Sequence, residues 1–266
     1  MIPLVLPILS PPLWGLAFLL GGAVLLWLIS LRIRDSSIGT IAWSLGLAGV
    51  VDVAAWTGQA GGDRAALVIF LVNIWAVRLA AHLWARHEGE DHRYAVLRQR
   101  FGRRWWWLSL IQVFLLQAIL IWVIAAPPVA AVLNGYAPMG WLDYLGAGLA
   151  TLAIAWEAVA DLQLARFRAD PAHAGQVMDK GLWGWSRHPN YFGESLLWAG
   201  LFLIGFSASG QWWLLVSPLL TVFLLTQVST AVMEDGMDQR RPAYAAYRRR
   251  VGAFLPWPRR RDARKG

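Results

Sequence analysis

Residues 181–198 read GLWGWSRHPNYFGESLLW, and the rest of the chain is organised around them. Pro189 has a fixed φ and no N–H, which suits the first turn of a helix. The apolar run from Leu196 to Phe206 continues such a helix, so Ser186 or His188 falls near its N-cap. Arg187 and His188 then stand where an apolar segment begins. A helix start offers unsatisfied N–H groups and the positive end of a dipole. With a guanidinium beside it, that is a place for a phosphate or carboxylate. Asn190, Glu194 and Trp198 are spaced i, i+4, i+8 and share one helix face. A plain membrane-entry cap accounts for the same spacing, with Arg187 snorkelling, Glu194 paired locally and Trp198 packing.

The chain has 266 residues and is 58% hydrophobic, with 18 tryptophans. Soluble domains average about 45–50% apolar residues. Several runs approach the roughly 20 apolar residues that span a bilayer, which predicts an integral membrane protein. There is no cysteine, so disulfides, thiolate catalysis and cysteine-based metal sites are excluded. The N-terminal MIPLVLPILSPPLWG has no basic region and no small-residue cleavage site, and reads as mature sequence.

Seven spans are predicted: Leu13 to Leu31, Ile38 to Trp56, Ala65 to Trp84, Trp105 to Ala126, Trp141 to Leu164, Pro189 to Phe206 and Trp212 to Val232. Pro127-Pro128 stops the fourth, and the apolar run to Leu133 reads as an interfacial extension. Polar connections run from Arg86 to Arg104 and from Arg166 to Arg187. Of 24 Lys and Arg, 22 fall on one side of this arrangement, Arg64 falls on the other and Arg78 lies inside span three. The positive-inside rule then places the N-terminus outside and the C-terminus in the cytoplasm. A bacterial inner membrane with the site facing the cytoplasm fits that pattern. The net charge of +8 follows this topology and is no signal for nucleic acid. The expectation is one all-α transmembrane domain: N-terminal spans over 1–64, a core over 65–257 and a basic tail over 258–266.

Ionisable groups inside spans are expensive and mark functional sites by default. Here they are Asp52, Arg78, His82, Glu157, Asp161 and Glu194. Glu157 and Asp161 are i, i+4, so two carboxylates share a face, and Asp161 lies near Arg166 and Arg168 at the cytoplasmic end. An Asp there suits a ribose hydroxyl or an adenine amino group. For Glu157 the plainer reading is a structural pair with a loop arginine. Asp52 is the expected buried partner of Arg78 or His82. Gly89-Glu90-Asp91-His92-Arg93-Tyr94 and the tyrosine-rich tail around Tyr244 and Tyr247 fall on the same membrane side as Arg187 and His188. An anionic cofactor entering there meets arginines, amides and tyrosines. Attraction to anionic lipid explains the far basic tail, Arg259 to Lys265. Nucleotide and metal signatures of soluble enzymes (G-x-G-x-x-G, G-x-x-x-x-G-K-[ST], H-E-x-x-H) are missing, and no metal is expected.

From Ser186-Arg187-His188-Pro189-Asn190-Tyr191-Phe192-Gly193-Glu194, this sequence resembles the membrane reductases related to steroid 5α-reductase, in particular a bacterial group of that superfamily, and also sterol C14 reductases. Gly89-Glu90-Asp91-x-Arg93-Tyr94, Glu234 and the Tyr244-x-x-Tyr247 … Phe254-Leu255-Pro256 ending fit the same resemblance, which covers roughly Trp75 to Trp257. The resemblance implies a helical bundle that binds NADPH from the cytoplasm. It implies reduction of an enone-like carbon–carbon double bond in a steroid-like or other lipophilic substrate. It carries dinucleotide contacts onto Asp161, Arg168, Arg187, Asn190, Tyr191, Glu194 and Trp198. Arg166, His188, Arg93, Tyr94 and Tyr247 join that set from their place on the cytoplasmic face. Glu194, Tyr191, or the Asp52 and His82 pair would supply a proton or polarise a carbonyl.

The chain departs from the steroid reductases in two places. Leu83, not tyrosine, follows His82, and span two offers Asp52 in place of a Gln-Glu pair. Arg187-His188-Pro189-Asn190-Tyr191-Phe192-Gly193 also satisfies the R-H-P-x-Y-x-G core of isoprenylcysteine-type methyltransferases, which use S-adenosylmethionine. Asn190, Glu194 and the Gly89–Tyr94 segment favour the reductase. A non-catalytic lipid-binding protein is the alternative from another class. Membrane lipids and a lipophilic small molecule are the expected partners.

Overall fold

A computed structural model describes residues 10–257, and every regular element among them is helical. The basic tail expected over 258–266 and the N-terminal 1–9 stretch lie outside the described residues. Among the described residues, seven helical stretches are long and apolar enough to cross a membrane: Pro11–Ile33, Ile38–Thr57, Asp63–Ala85, His92–Ile124, Trp141–Ala169, Pro189–Ser209 and Trp212–Glu234. The protein is a multi-pass membrane protein. Each predicted span falls inside one of these stretches, except that the fourth, predicted to Ala126, ends at Ile124.

The first three spans are the single helices α1 (Pro11–Ile33), α2 (Ile38–Thr57) and α3 (Asp63–Ala85). The fourth is composite. It runs α4 (His92–Phe101), a 3₁₀ turn at Gly102–Arg104, α5 (Trp105–Ser109), a π turn at Leu110–Leu115 and α6 (Leu116–Ile124). Gly102 has φ 51°, a left-handed value that glycine adopts without a Cβ penalty. Pro127 and Pro128 then lie in the first turn of a further helix, α7 (Ala126–Leu133), where a missing N–H costs nothing. The proline pair therefore restarts a helix. The stretch expected at the interface is instead packed inside, with Pro127, Pro128, Val129, Ala131 and Val132 all buried. Gly205 allows the close approach there, because a Cβ on it would stand 2.6 Å from the Pro127 carbonyl oxygen. The remaining helices are α8 (Trp141–Ala169), α9 (Pro189–Ser209), α10 (Val216–Phe223), a π turn at Leu224–Ser229, α11 (Thr230–Glu234), α12 (Met237–Arg240) and α13 (Ala243–Arg250).

The described residues form two compact units, one within 1–147 and 201–217, the other within 148–200 and 218–266. In the first, α1 packs on α2, α2 on α3, and α6 and α7 close against them. Leu47, Val50, Val51, Val72, Trp75, Ile124 and Val132 form its buried interior. Arg64, expected as a loop cation, is buried in the first turn of α3 at 1% exposure. Its Nε and Nη2 donate to the two carboxylate oxygens of Asp143 at 2.8 and 3.0 Å. Its other N–H groups reach the carbonyls of Asn134, Ala137 and Pro138. Asp143 also accepts from Ser207 Oγ at 2.7 Å and from the Gly140 amide at 2.8 Å.

A second knot of that unit ties the start of α2 to α4. Glu90 accepts the Ser36 amide at 2.9 Å and is gripped by Arg98 through Nε at 2.8 Å and Nη2 at 2.7 Å. Burial works against the charged Glu90, and Arg98 with the Ser36 amide outweighs it, holding the carboxyl below its ordinary range. His87 reaches Asp35 at 2.7 Å, and Trp105 Nε1 donates to Ser36 Oγ at 3.2 Å. Asp91 caps α4 by accepting the Arg93 amide. The second unit has a core of Ala153, Ala160, Leu197 and Trp198 and a smaller cluster of Tyr244, Tyr247 and Val251 packed with Val177 and Met237.

Candidate active site

The segment that leads into α9 is held by glycine and tryptophan before any charged group acts. Gly181 has φ 59°, and a Cβ there would meet Gln163 Oε1 at 2.5 Å. That oxygen accepts the Leu182 amide at 3.0 Å. The 3₁₀ turn Gly181–Gly184 follows, and the Trp183 indole donates to the Ala160 carbonyl on α8 at 2.9 Å. Ser186 Oγ accepts the His188 amide at 3.1 Å and faces the Phe254 carbonyl at 2.8 Å. The His188 carbonyl accepts the Phe192 amide, which makes His188 the N-cap of α9 with Pro189 at the first position.

Arg187 closes this turn onto the chain's end. Its Nε and Nη2 donate to Glu234 Oε1 and Oε2 at 2.9 and 3.0 Å. Nη1 donates to the carbonyls of Val251 at 2.8 Å and Arg248 at 3.3 Å, and the backbone amide to Gly252 at 2.9 Å. Burial disfavours the charged guanidinium, and the Glu234 carboxylate overcomes it, so Arg187 sits above its ordinary pKa. This fork therefore points at protein acceptors, where a cofactor phosphate was expected. His188 Nε2 also faces Glu234 Oε1, at 2.8 Å. Burial pushes the imidazole below its usual 6.5, and the Glu234 carboxylate only partly offsets that. The ring is neutral at pH 7, and it stacks on Tyr191 with centroids 5.1 Å apart.

Tyr247 fixes α13 to the same turn, its hydroxyl donating to the Trp183 carbonyl at 2.6 Å. Burial raises the phenols of both tail tyrosines, Tyr244 to about 12 and Tyr247 further. An unfolded tyrosine titrates near ~10. Stability from a raised pKa is complete below the unfolded value and is lost as pH rises through the folded one. Melting temperature should thus hold flat up to pH 10 and fall between pH 10 and 12. Tyr247→Phe should cost about 1 kcal/mol at pH 8 and, with Tyr244→Phe, flatten the alkaline decline. A decline unchanged in the double variant would assign it to other groups.

The second unit brings several candidate residues together. Asp161 (4% exposed) and Glu157 (2% exposed) are buried on α8. Asn190 Nδ2 donates to Asp161 Oδ1 at a long 3.4 Å, and Asn190 Oδ1 is buried with no hydrogen-bond partner among the described residues. Gly193 lets α9 lie against α8, since a Cβ on it would stand 3.0 Å from Glu157 Cβ. Trp156 Nε1 donates to the Pro189 carbonyl at 2.9 Å and fixes the same crossing. Glu194 is half-buried and Trp198 is fully buried. Arg166 and Arg168 stand exposed at the end of α8.

The remaining candidates belong to the first unit. Arg93 turns back on Asp91 at 2.9 Å and lies over the Tyr94 ring, and Tyr94 meets Thr40 Oγ1 at 2.9 Å. His82 is half-buried on α3. Asp52, expected as a buried partner of Arg78 or His82, is exposed and accepts from Asn73 Nδ2 at 2.9 Å. Asn73 lies on α3 about one turn from Arg78 and makes the contact that charge pairing would have supplied. Ser186 and Glu234 stand in the sequence motifs without a site role assigned to them, and Gln163 stands in none. A carboxylate at the end of the last span, just before an arginine-rich segment, is the signal that marks Glu234.

Residues 26–251 match the family described as "Protein of unknown function (DUF1295)". An uncharacterized protein of Schizosaccharomyces pombe is 27% identical over 221 residues, which is 73% of this chain and 63% of the yeast protein. The chain thus spans somewhat less than two thirds of that relative's length. No solved structure matches the chain.

Proposed function

We propose, from the premise that this chain belongs to the DUF1295 family, that it is an NADPH-dependent membrane reductase acting on an enone-like double bond in a lipophilic substrate. The observation that carries the reading is Asn190 Oδ1, a buried acceptor without a partner beside the buried Asp161 carboxylate. A buried amide oxygen left unpaired is costly, and polar donors of a ligand would relieve it. A nicotinamide carboxamide and ribose hydroxyls are donors of that kind, so the residues present fit the group. The R-H-P-N-Y-F-G-E resemblance supports the same cofactor.

NADPH, when bound, supplies the hydride. Asn190 Oδ1 would accept from the carboxamide, and Asp161 from a ribose hydroxyl. Glu194 lies one turn beyond Asn190, and Tyr191 is held by its stack on the neutral His188 ring. Either group would deliver the proton or polarise the substrate carbonyl. Phosphate contacts would fall to the exposed Arg166 and Arg168, because the Arg187 fork is closed by Glu234. We place this site on the cytoplasmic side from the distribution of arginines.

Asn190→Ala should weaken NADPH binding about tenfold to a hundredfold, the equivalent of one buried hydrogen bond, with an unchanged melting temperature. Calorimetry on detergent-purified protein measures this. Binding of S-adenosylmethionine in place of NADPH would overturn the reductase in favour of a methyltransferase, and binding of neither would favour a non-catalytic lipid-binding protein.

A further inference from the structure

A groove of about 180 Å³ lies between α1, α2 and the fourth span, wholly in the first unit. That is room for a stretch of alkyl chain, and less than the roughly 300–1,000 Å³ of sites that enclose a whole drug-sized ligand. Its lining runs along α1 from Phe18 to Leu26, about 12 Å at the helical rise. Glycines shape it. A Cβ on Gly22 would find nothing within 4 Å, so the space a side chain would fill stays open. At Gly46 the chain is closed instead, with Ile121 Cδ1 3.1 Å and Leu19 Cδ2 3.4 Å from the Cβ position. The π turn Leu110–Leu115 brings Phe114 to 3.3 Å from the Cβ position of Gly39.

Gln117 is the one polar side chain on this lining. Its Oε1 lies 3.1 Å from the Cβ position of Gly39, and its amide makes no hydrogen bond among the described residues. Gln117 is half-buried, and an amide left unpaired among apolar side chains is unfavourable. Bulk lipid tails would fill the apolar volume and leave Gln117 unsatisfied. A chain bearing one oxygen at the right depth does both.

We infer that this groove binds the hydrocarbon chain of a lipophilic molecule whose hydroxyl or carbonyl oxygen accepts a hydrogen bond from the Gln117 amide. The site is separate from the residues assigned to reduction and stands whether or not the protein reduces anything.

The test uses the full chain in phosphatidylcholine nanodiscs with a diazirine-bearing hexadecanol, cross-linked by light and mapped by mass spectrometry. Labels should fall on residues 18–26 and 114–121. Unlabelled hexadecanol should compete about tenfold better than hexadecane, the ratio one hydrogen bond supplies. Gln117→Leu should bring that ratio near one while labelling persists. Gly22→Phe should abolish labelling at an unchanged melting temperature, since the added ring enters open space. If Gly22→Phe lowers the melting temperature, the alcohol-to-alkane ratio in Gln117→Leu decides alone. Equal competition by hexadecane and hexadecanol in the native protein would mean bulk hydrocarbon only and overturn the proposal. Labelling that survives in a folded Gly22→Phe would also overturn it.

Discussion

Arg64→Met should destabilise the first unit by about 3–5 kcal/mol, the cost of leaving one member of a buried ion pair without its partner. The side chains of Arg64 and Asp143 are 2% and 0% exposed, so water cannot rescue the orphaned carboxylate. Three backbone carbonyls, of Asn134, Ala137 and Pro138, lose their donor in the same step. Arg64→Lys should recover little, because an ammonium cannot serve both carboxylate oxygens and three carbonyls from one point. Arg64→Met combined with Asp143→Leu should recover much of the loss, since an apolar pair avoids the desolvation penalty. Thermal melts of the three variants decide this. A double variant no better than Arg64→Met would place the main contribution in the carbonyl contacts.

Glu234→Ala should cost the second unit about 3 kcal/mol, at the lower end for a broken buried pair because Arg187 keeps its two carbonyl acceptors. The Arg187 and Glu234 side chains are 11% and 14% exposed. The damage should concentrate at the C-terminal segment, whose contacts with the turn before α9 pass through Arg187, Ser186 and Tyr247. Trypsin reports this directly, since Arg248 and Arg249 stand exposed on α13. Cleavage there should speed up by an order of magnitude or more in the variant. His188 would lose its own partner on Glu234 as well. An unchanged melting temperature with unchanged cleavage would mean that the pair acts as an ordinary surface bridge.

The spans were legible because long apolar runs have one solution in a bilayer, helices that satisfy their own backbone. Pro189 marked the start of α9 from its missing N–H alone. The pairing of charged groups was not legible in the same way. Arg64 was read as a loop cation because sequence gives its nearness to the span boundary. It says nothing of Asp143, 79 positions away. Asp52 was matched to cations on α3 by charge, and the fold matched it to Asn73 by height. The Gly89–Tyr94 motif was assigned to a cofactor face, and Glu90 turned out to be engaged by Arg98 and the Ser36 amide. In each case the residue type was informative and the partner depended on how helices cross. The proximity of Asn190 to Asp161 followed from Gly193, whose small size matters only once α8 is known to be its neighbour.

The last span is not a uniform helix: α10 ends at Phe223, a π turn runs through Leu224–Ser229, and α11 carries Glu234. Thr230 Oγ1 reaches back five residues to the Leu225 carbonyl. A π turn holds one residue more than the α-helix it interrupts, and each residue turns the helix by about 100°. The direction in which Glu234 leaves the helix is therefore set by how many residues stand between Phe223 and Thr230. Relatives could exchange side chains freely in this stretch and still present a carboxylate to Arg187, but losing one residue would swing it a quarter-turn away. What inheritance must preserve here is a length.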